Sequence, residues 1–331
     1  MSTNEFSGSR RRFTQALGLV PLACSLGAHA QSFPSKSIRL VVGYTPGGAG
    51  DATARLIAKH YADLMNQTVV VENKPGASAT LAAGAVATAP PDGYTLLVNT
   101  PPDTVIAPIT MKDRIQYSMS NFIPIGLVVT VPTVLIVLPT SPYKTVDDLV
   151  SAAKANPGKL NYASFGIGSA SHMAAELLKS VAGINVTHIP FKGSAPAMVE
   201  LLAGRVDFLF DTFPSARGQI EGGRVRALGV TSTTRVPVAR EIPTMEELGF
   251  KGCVWQSFIG VLAPAGTPRS VLDRLERETA KMNEMKEVQD KLLSQGLVPT
   301  NLVGKQYAEF IAAETERTIK LIRDAKLRLE S

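Results

Sequence analysis

The sequence predicts an α/β protein of two domains built on parallel sheets, and three observations carry that expectation. Short apolar runs rich in Val, Ile and Leu alternate with longer stretches at helical spacing from residue 38 onward. The length of 331 residues exceeds what one hydrophobic core usually serves. With 45% hydrophobic and 19% charged residues the composition is that of a globular protein, which excludes a disordered or collagen-like chain.

Taken in order, Ile38–Val42 reads as a short buried strand. Residues Asp51–Met65 carry Ala54, Leu56, Ile57, Ala58, Tyr61 and Leu64 near one helical face. Thr68–Val71 is the next strand, Leu81–Ala89 a small-residue helix and Tyr94–Val98 a strand. A second set begins near Val131, with a strand at Thr133–Leu138 and a helix at Val146–Ala155 that Asn156-Pro157-Gly158 ends. Leu160–Ala163, Val186–Ile189, Phe208–Phe210, Arg226–Val230 and Phe258–Leu262 read as strands. Helices fall at Ser169–Ala182, stopped by Gly183, at Pro196–Ala203, at Arg269–Met282 and at Lys305–Leu329. Strands separated by helices imply parallel sheets covered on both faces. The last helix carries charges of both signs, its apolar positions keep no heptad, and it is expected to pack along the outside.

The N-terminus has the order of an export signal. Arg10, Arg11 and Arg12 precede an apolar run from Ala16 to Leu26, and Ala28-His29-Ala30 follows. The Ser9-Arg10-Arg11-x-Phe13 pattern is compatible with either a twin-arginine or a general secretory signal. Cleavage after Ala30 removes three arginines and one glutamate, so 331 residues become 301 and the net charge of +6 becomes +4. The remaining charge is mixed, with no basic run and no aromatic-basic interleaving, so no nucleic-acid partner is expected. Cys24 lies in the signal and Cys253 is the other cysteine, so no internal disulfide is expected. Beyond the signal no apolar stretch is long enough to cross a membrane; Val128–Leu138, the richest, is interrupted by Pro132.

Three loops stand between a strand and a helix. Tyr44-Thr45-Pro46-Gly47-Gly48-Ala49-Gly50-Asp51 places adjacent glycines before a helix, with Asp51 expected as its N-cap. Unpaired helix N–H groups and the helix dipole make such a loop an anion site without a charged side chain. The same residues also describe a tight turn with a cap and no ligand, and spacing alone does not choose. Ser164-Phe165-Gly166-Ile167-Gly168-Ser169-Ala170-Ser171-His172 is the second loop. It lacks the third glycine of a dinucleotide fingerprint and is not a nucleophile elbow. Ser169 reads as a helix cap, and His172 as either a ligand contact or a helix-to-loop hydrogen bond. Lys192-Gly193-Ser194 is the third loop, and Asp211 ends a neighbouring strand, either holding a loop or meeting a ligand amino group. No catalytic residue, metal ligand set or cofactor motif is identified; His60, His172 and His188 are the histidines after residue 30.

Taken together, the motifs Tyr44-Thr45-Pro46-Gly47-Gly48, Val71-Glu72-Asn73-Lys74-Pro75-Gly76-Ala77, Pro91-Asp92-Gly93-Tyr94-Thr95-Leu96, Ala155-Asn156-Pro157-Gly158, Gly166-Ile167-Gly168-Ser169, Pro190-Phe191-Lys192-Gly193-Ser194-Ala195-Pro196 and Ala263-Pro264-Ala265-Gly266-Thr267-Pro268 give the chain a family likeness. It resembles the solute receptors of the tripartite tricarboxylate transporter group, the Bug or TctC-like proteins. The resemblance implies a two-lobed, type II Venus-flytrap periplasmic binding fold, with residues 1–30 a signal peptide, 31–130 plus 256–331 one lobe and 131–255 the other. It implies capture of a small organic anion between the lobes: a mono- or dicarboxylate, with aromatic acids and amino acids among the candidates. The protein would be a periplasmic monomer that is not an enzyme and serves membrane transporter subunits or a sensor. The site carried over comprises Tyr44, Thr45, Gly47, Gly48, Ala49, Asp51, Thr100, Ser164, Phe165, Gly168, Ser169, His172, Lys192, Gly193 and Asp211, with Phe258 a further candidate. The chain departs from the family at Ser78-Ala79-Thr80-Leu81, where glycines are usual, and at Asn99-Thr100-Pro101-Pro102-Asp103, where a Gly-Thr-rich loop is usual. A competing class is a secreted hydrolase using Ser169 or Ser164 with His172, and a third is a ligand-free adaptor.

Overall fold

The computed structural model describes residues 33–47, 49–191 and 193–324. The expected export signal at 1–30, with Cys24, lies outside them, as do Gly48 and Lys192. The described residues form one compact unit.

The first half of the chain folds as β1 (Ile38–Val42), α1 (Ala49–Met65), β2 (Val69–Asn73), α2 (Thr80–Ala87) and β3 (Thr95–Asn99). A π-helical turn at Pro102–Ile106 runs into α3 (Ala107–Thr110), and β4 (Phe122–Val137) follows. The next run is α4 (Val146–Ala155), β5 (Asn161–Ser164), α5 (Ala170–Ala182), β6 (Thr187–Pro190), α6 (Ser194–Leu202), β7 (Phe208–Thr212), α7 (Phe213–Glu221) and β8 (Arg226–Val230). The chain closes with β9 (Gln256–Pro264), α8 (Arg269–Glu284), α9 (Lys286–Ser294), β10 (Val298–Val303) and α10 (Lys305–Asp324).

The strand order is β2-β1-β3-β9-β4-β7-β5-β6, with β10 and β8 also paired to β4. The expected parallel pairing holds for β1 with β2 and β3 and for β5 with β6 and β7. It fails for β4 and β9, which run antiparallel to their neighbours. A parallel neighbour needs a crossover that returns the chain to the same end of the sheet; at these two places the chain passes between the halves of the molecule instead. β4 is the shared strand. Its pairing with β9 ends at Pro132 opposite Gln256, and its pairing with β7 begins at Thr133 opposite Thr212. Pro132 therefore does not interrupt the strand, as its position in the apolar run implied. A residue with no N–H falls where the strand changes partners.

Alternation along these strands fills two apolar layers in each half. Leu40 and Val42 face one cluster with α1 and α8, and Val41 the other with α2 and α10. Leu135 and Val137 pack on α4 and α5, Val134 and Ile136 on α6 and α7. The closing helix α10 does more than lie outside. Tyr307, Ile311, Glu314, Thr318 and Leu321 form its buried stripe. Tyr307 and Ile311 enter the first half's core and Leu321 the second's. That spacing is heptad-like, and the polar Glu314 and Thr318 hid it from a count of apolar residues.

Candidate functional site: an apolar cleft between helix N-termini

A cavity of about 360 Å³ lies where β4 and the approach to β9 cross between the halves. Tyr44, Thr45, Ala49 and Gly50 wall it from the start of α1, and Ser169 and Ala170 from the start of α5. A second chamber of about 500 Å³ shares Tyr44, Pro102, Ile106, Phe165 and Ser169 with the first.

The β1–α1 loop is fixed by one carboxylate. Asp51 is the third residue of α1, not the expected N-cap. From there it reaches back to accept the Gly47 N–H at 3.0 Å, in the manner of the acidic member of a capping box. It also accepts Arg55 Nε at 2.9 Å and Asn73 Nδ2 at 2.9 Å. The bond from Arg55 holds its carboxyl well below the usual range, at about 2, aided by Asn73 and Gly47. The Gly47 amide, expected to face a ligand, is thus already engaged. Gly50 lets the Tyr44 ring lie against the first turn of α1, since a Cβ there would meet Tyr44 Cδ2 at 3.1 Å. The Tyr44 hydroxyl bonds Thr100 Oγ1 at 2.8 Å, and both residues line the cavity. Burial raises the Tyr44 pKa, so the phenol stays neutral.

The β5–α5 loop spends its polar groups on itself. Ser169 caps α5 as expected, accepting the His172 N–H at 3.3 Å and donating to the Gly166 carbonyl at 2.7 Å. The His172 ring accepts the Gly168 N–H at Nδ1, 3.1 Å away, and stacks on His188 with centroids 4.2 Å apart. This is the helix-to-loop hydrogen bond, and His172 lines neither cavity. Burial, reinforced by the neighbouring His188, pulls its pKa down to about 4. Ser164, fully buried, pairs with His188 Nε2 at 2.6 Å and accepts the Gly166 N–H. Neither serine has the geometry of a nucleophile: the Ser169 hydroxyl meets the His172 backbone, not its ring, and Ser164 reaches neither cavity.

Of the residues carried over from sequence, Tyr44, Thr45, Ala49, Thr100, Phe165 and Ser169 line the first cavity, and Gly168 the second. Gly47, Asp51, Ser164, His172, Gly193 and Asp211 line neither, and Gly48 and Lys192 lie outside the described residues. The Gly193 N–H donates to the Phe165 carbonyl at 3.2 Å, tying the third loop to the second. Asp211 accepts Ser194 Oγ at 2.8 Å while its other oxygen has no partner, and burial pushes its carboxyl up to about 6.

The model of the tripartite tricarboxylate transporter family receptor matches residues 53–327. The chain belongs to this family. It is similar to a UPF0065 protein in the tcbD-tcbE intergenic region of Pseudomonas sp. strain P51, at 39% identity over 96% of this chain and 95% of that protein. Among solved structures, it is similar to Rpa4515 of R. palustris with adipate, at a TM-score of 0.78 and 32% identity, covering 89% of this chain and 98% of that one. It is also similar to MatC of Rhodopseudomonas palustris with bound malate, at a TM-score of 0.73 and 29% identity, covering 88% and 100%. The two-lobed fold is common to them.

Several wall residues of this receptor were not found from sequence. Pro102 and Ile106 come from the π-helical turn and Pro101 from just before it, Val131 from β4, Thr212 from the end of β7, and Trp255, Ser257 and Ile259 from the approach to β9 and its start. Strand alternation was the available signal. Ser257 and Ile259 share one face of β9, so Phe258, named from the same segment, points the other way and packs on Tyr307 and Phe310.

Proposed function

We propose that this receptor captures a small organic carboxylate in the cleft and passes it to membrane transporter subunits, without chemical conversion. One observation carries the reading: the first turn of α1, a 17-residue helix, lines the cleft cavity, so a carboxylate there meets orphan N–H groups and the positive end of the dipole. Ala49 and Gly50, the first residues of α1, line the cavity together with Thr45 and Thr100. Gly48 belongs with them by sequence. The rest of the ligand lies toward Phe165 and Ser169. The volume falls within the range of small-molecule pockets. The names of two similar structures, with adipate and with malate, support the ligand class.

The lobes are taken as 31–130 plus 256–331 and 131–255. The crossings at Val131–Thr133 and Trp255–Ser257 would be the pair of connections about which they close. Export by the 1–30 segment would place the protein in the periplasm as a monomer. Thermal unfolding against a panel of mono- and dicarboxylates tests the reading. Bound ligand raises the midpoint in proportion to the logarithm of its concentration, and a protein stabilised by no carboxylate at millimolar concentration would sink it.

A further inference from the structure

Granted the reading that the cleft takes a carboxylate, its wall on the α5 side is shaped by two histidines that line neither chamber. The turn from Ser164 to Ser169 supplies Phe165 and Ser169 to both chambers, and Ile167 and Gly168 to the second. It is soft by composition. Gly166 has φ 125 and Gly168 φ 75, and glycines lose more freedom on ordering than other residues. Contacts from outside the turn have to hold it.

Two imidazoles make those contacts. His172 Nδ1 accepts the Gly168 N–H at 3.1 Å, and His188 Nε2 meets Ser164 Oγ at 2.6 Å. Ser164 Oγ accepts the Gly166 N–H at 3.1 Å and donates to the Gly166 carbonyl at 3.2 Å. A hydroxyl has one proton, and giving it to Gly166 leaves His188 Nε2 as the donor to Ser164. A His172 Nδ1 that accepts an N–H carries no proton, so neutral His172 holds its proton on Nε2, 4.0 Å from Glu176 Oε1. The two rings stack with centroids 4.2 Å apart, so a charge on one disfavours a charge on the other.

Only the neutral ring can hold Gly168. An imidazolium has a proton on both nitrogens, so charging His172 would turn an N–H against the Gly168 N–H. Burial is the largest influence against that charge. His188 of β6 and Lys179 of α5 add to it, Glu176 of α5 opposes it, and the pKa is pulled down to about 4. Among the other elements packed on α5, β5 brings Tyr162, whose hydroxyl donates to Glu176 at 2.6 Å, and β4 has no ionisable residue. β7 has Asp211, bonded to Ser194, with Asp207 just before it on the Asn161 N–H. α10 buries Glu314 beside Arg317.

We infer that His172 is a positioning residue of the binding site: its unprotonated Nδ1, with His188 holding Ser164, keeps the Gly166–Ser169 turn in the shape that meets the ligand. Ala170, the first residue of α5, lines the first cavity, so the aim of that helix start depends on the same turn.

The test uses the purified protein, stripped of ligand by unfolding and refolding. Adipate, malate, hexanoate and benzoate are titrated against the fluorescence of Trp255, the chain's single tryptophan and a wall residue, and the tightest binder is carried forward. His172→Ala should weaken it about tenfold at pH 7, the effect of losing one hydrogen bond that orders the turn. His172→Asn, whose amide oxygen can take the place of Nδ1, should recover most of that loss. The affinity of the parent relative to His172→Asn should fall about twofold from pH 7 to pH 4, where half the rings are charged, and further below it. Protonation of the ligand is common to both proteins and drops out of the ratio. Nitrogen-15 spectra of the ligand-free parent at pH 7 should show His172 with its proton on Nε2. A His172→Ala protein that does not fold leaves the pH ratio and the tautomer to decide. An Ala variant that binds like the parent, an Asn variant no better than the Ala variant, a ratio constant with pH, or a proton on Nδ1 would each overturn the inference and leave the carboxylate reading standing. No binding by any of the four acids would overturn both.

Discussion

Replacing Asp51 by Ala is the sharpest perturbation of the loop that builds the cleft. Its carboxylate is 3% exposed and collects three donors: Gly47 N–H, Asn73 Nδ2 and Arg55 Nε. The Arg55 side chain is 56% exposed, so that pair contributes at most about 1 kcal/mol. The other two bonds end on a charged acceptor and are each worth about 1.5–3 kcal/mol. They share one carboxylate and do not add fully, so the loss on Asp51→Ala should be about 3 kcal/mol. Urea unfolding should show a lower midpoint at unchanged slope. Ligand affinity should fall about tenfold, because the Gly47 amide and the Asn73 amide, which also donates to the Tyr44 carbonyl, lose their shared anchor. The folded carboxyl titrates at about 2 and the free one at 3.8. Its stabilisation is therefore present above the unfolded value and lost as pH falls through the folded one, so parent and variant should converge between about pH 4 and pH 2. A loss under about 1 kcal/mol at neutral pH, or a gap that does not close in acid, would refute the role given to Asp51.

Three further outcomes are expected. Gly260→Ala places a methyl against the Tyr307 ring and the Gly126 carbonyl, and should cost several kcal/mol by overpacking, about 3 or more by urea unfolding; a near-neutral result would mean that β9 and α10 pack differently. Ser78 has φ 55 between Ala77 and Ala79, which are also left-handed, so Ser78→Gly should raise stability by about 1 kcal/mol; a lowered midpoint would contradict that geometry. Burial pushes the Asp103 carboxyl up to about 8 from 3.8, so its native form is the neutral acid and parent stability declines as pH rises through that interval. Asp103→Asn should gain on the parent between about pH 4 and pH 8, read as a widening difference in Tm; parallel profiles would count against it.

Much of this architecture is legible in the sequence, because local chemistry wrote it. Ile38–Val42 and Val146–Ala155 have the expected bounds, the first from a continuous apolar run and the second from helical spacing closed by Asn156-Pro157-Gly158. Ser169 and Gly183 cap α5 as their residue types require, the latter with φ 63. What was missed depends on distant partners. β10 holds Pro299, Thr300 and Asn301 and shows no alternation; it is a strand because β4 pairs with it across an irregular register. α9 follows α8 after Met285 alone, and the sequence reading gave only the helix Arg269–Met282 there. At the site, the glycine loops announced Tyr44, Ala49 and Ser169 because strand-to-helix turns carry a local signature. Trp255, Ile259 and Val131 carry none; crossing strands bring them together, and only the register of β4 and β9 places them on one wall.

The most direct measurement is a crystal structure of the protein with a bound carboxylate, benzoate or hexanoate at saturating concentration. Carboxylate oxygens about 2.7–3.2 Å from the Ala49 and Gly50 amides, with the body against Phe165, Trp255 and Ile259, are the result expected from the cleft's geometry. A ligand whose carboxylate turns away from the start of α1, or one that binds outside the cleft, would contradict the account.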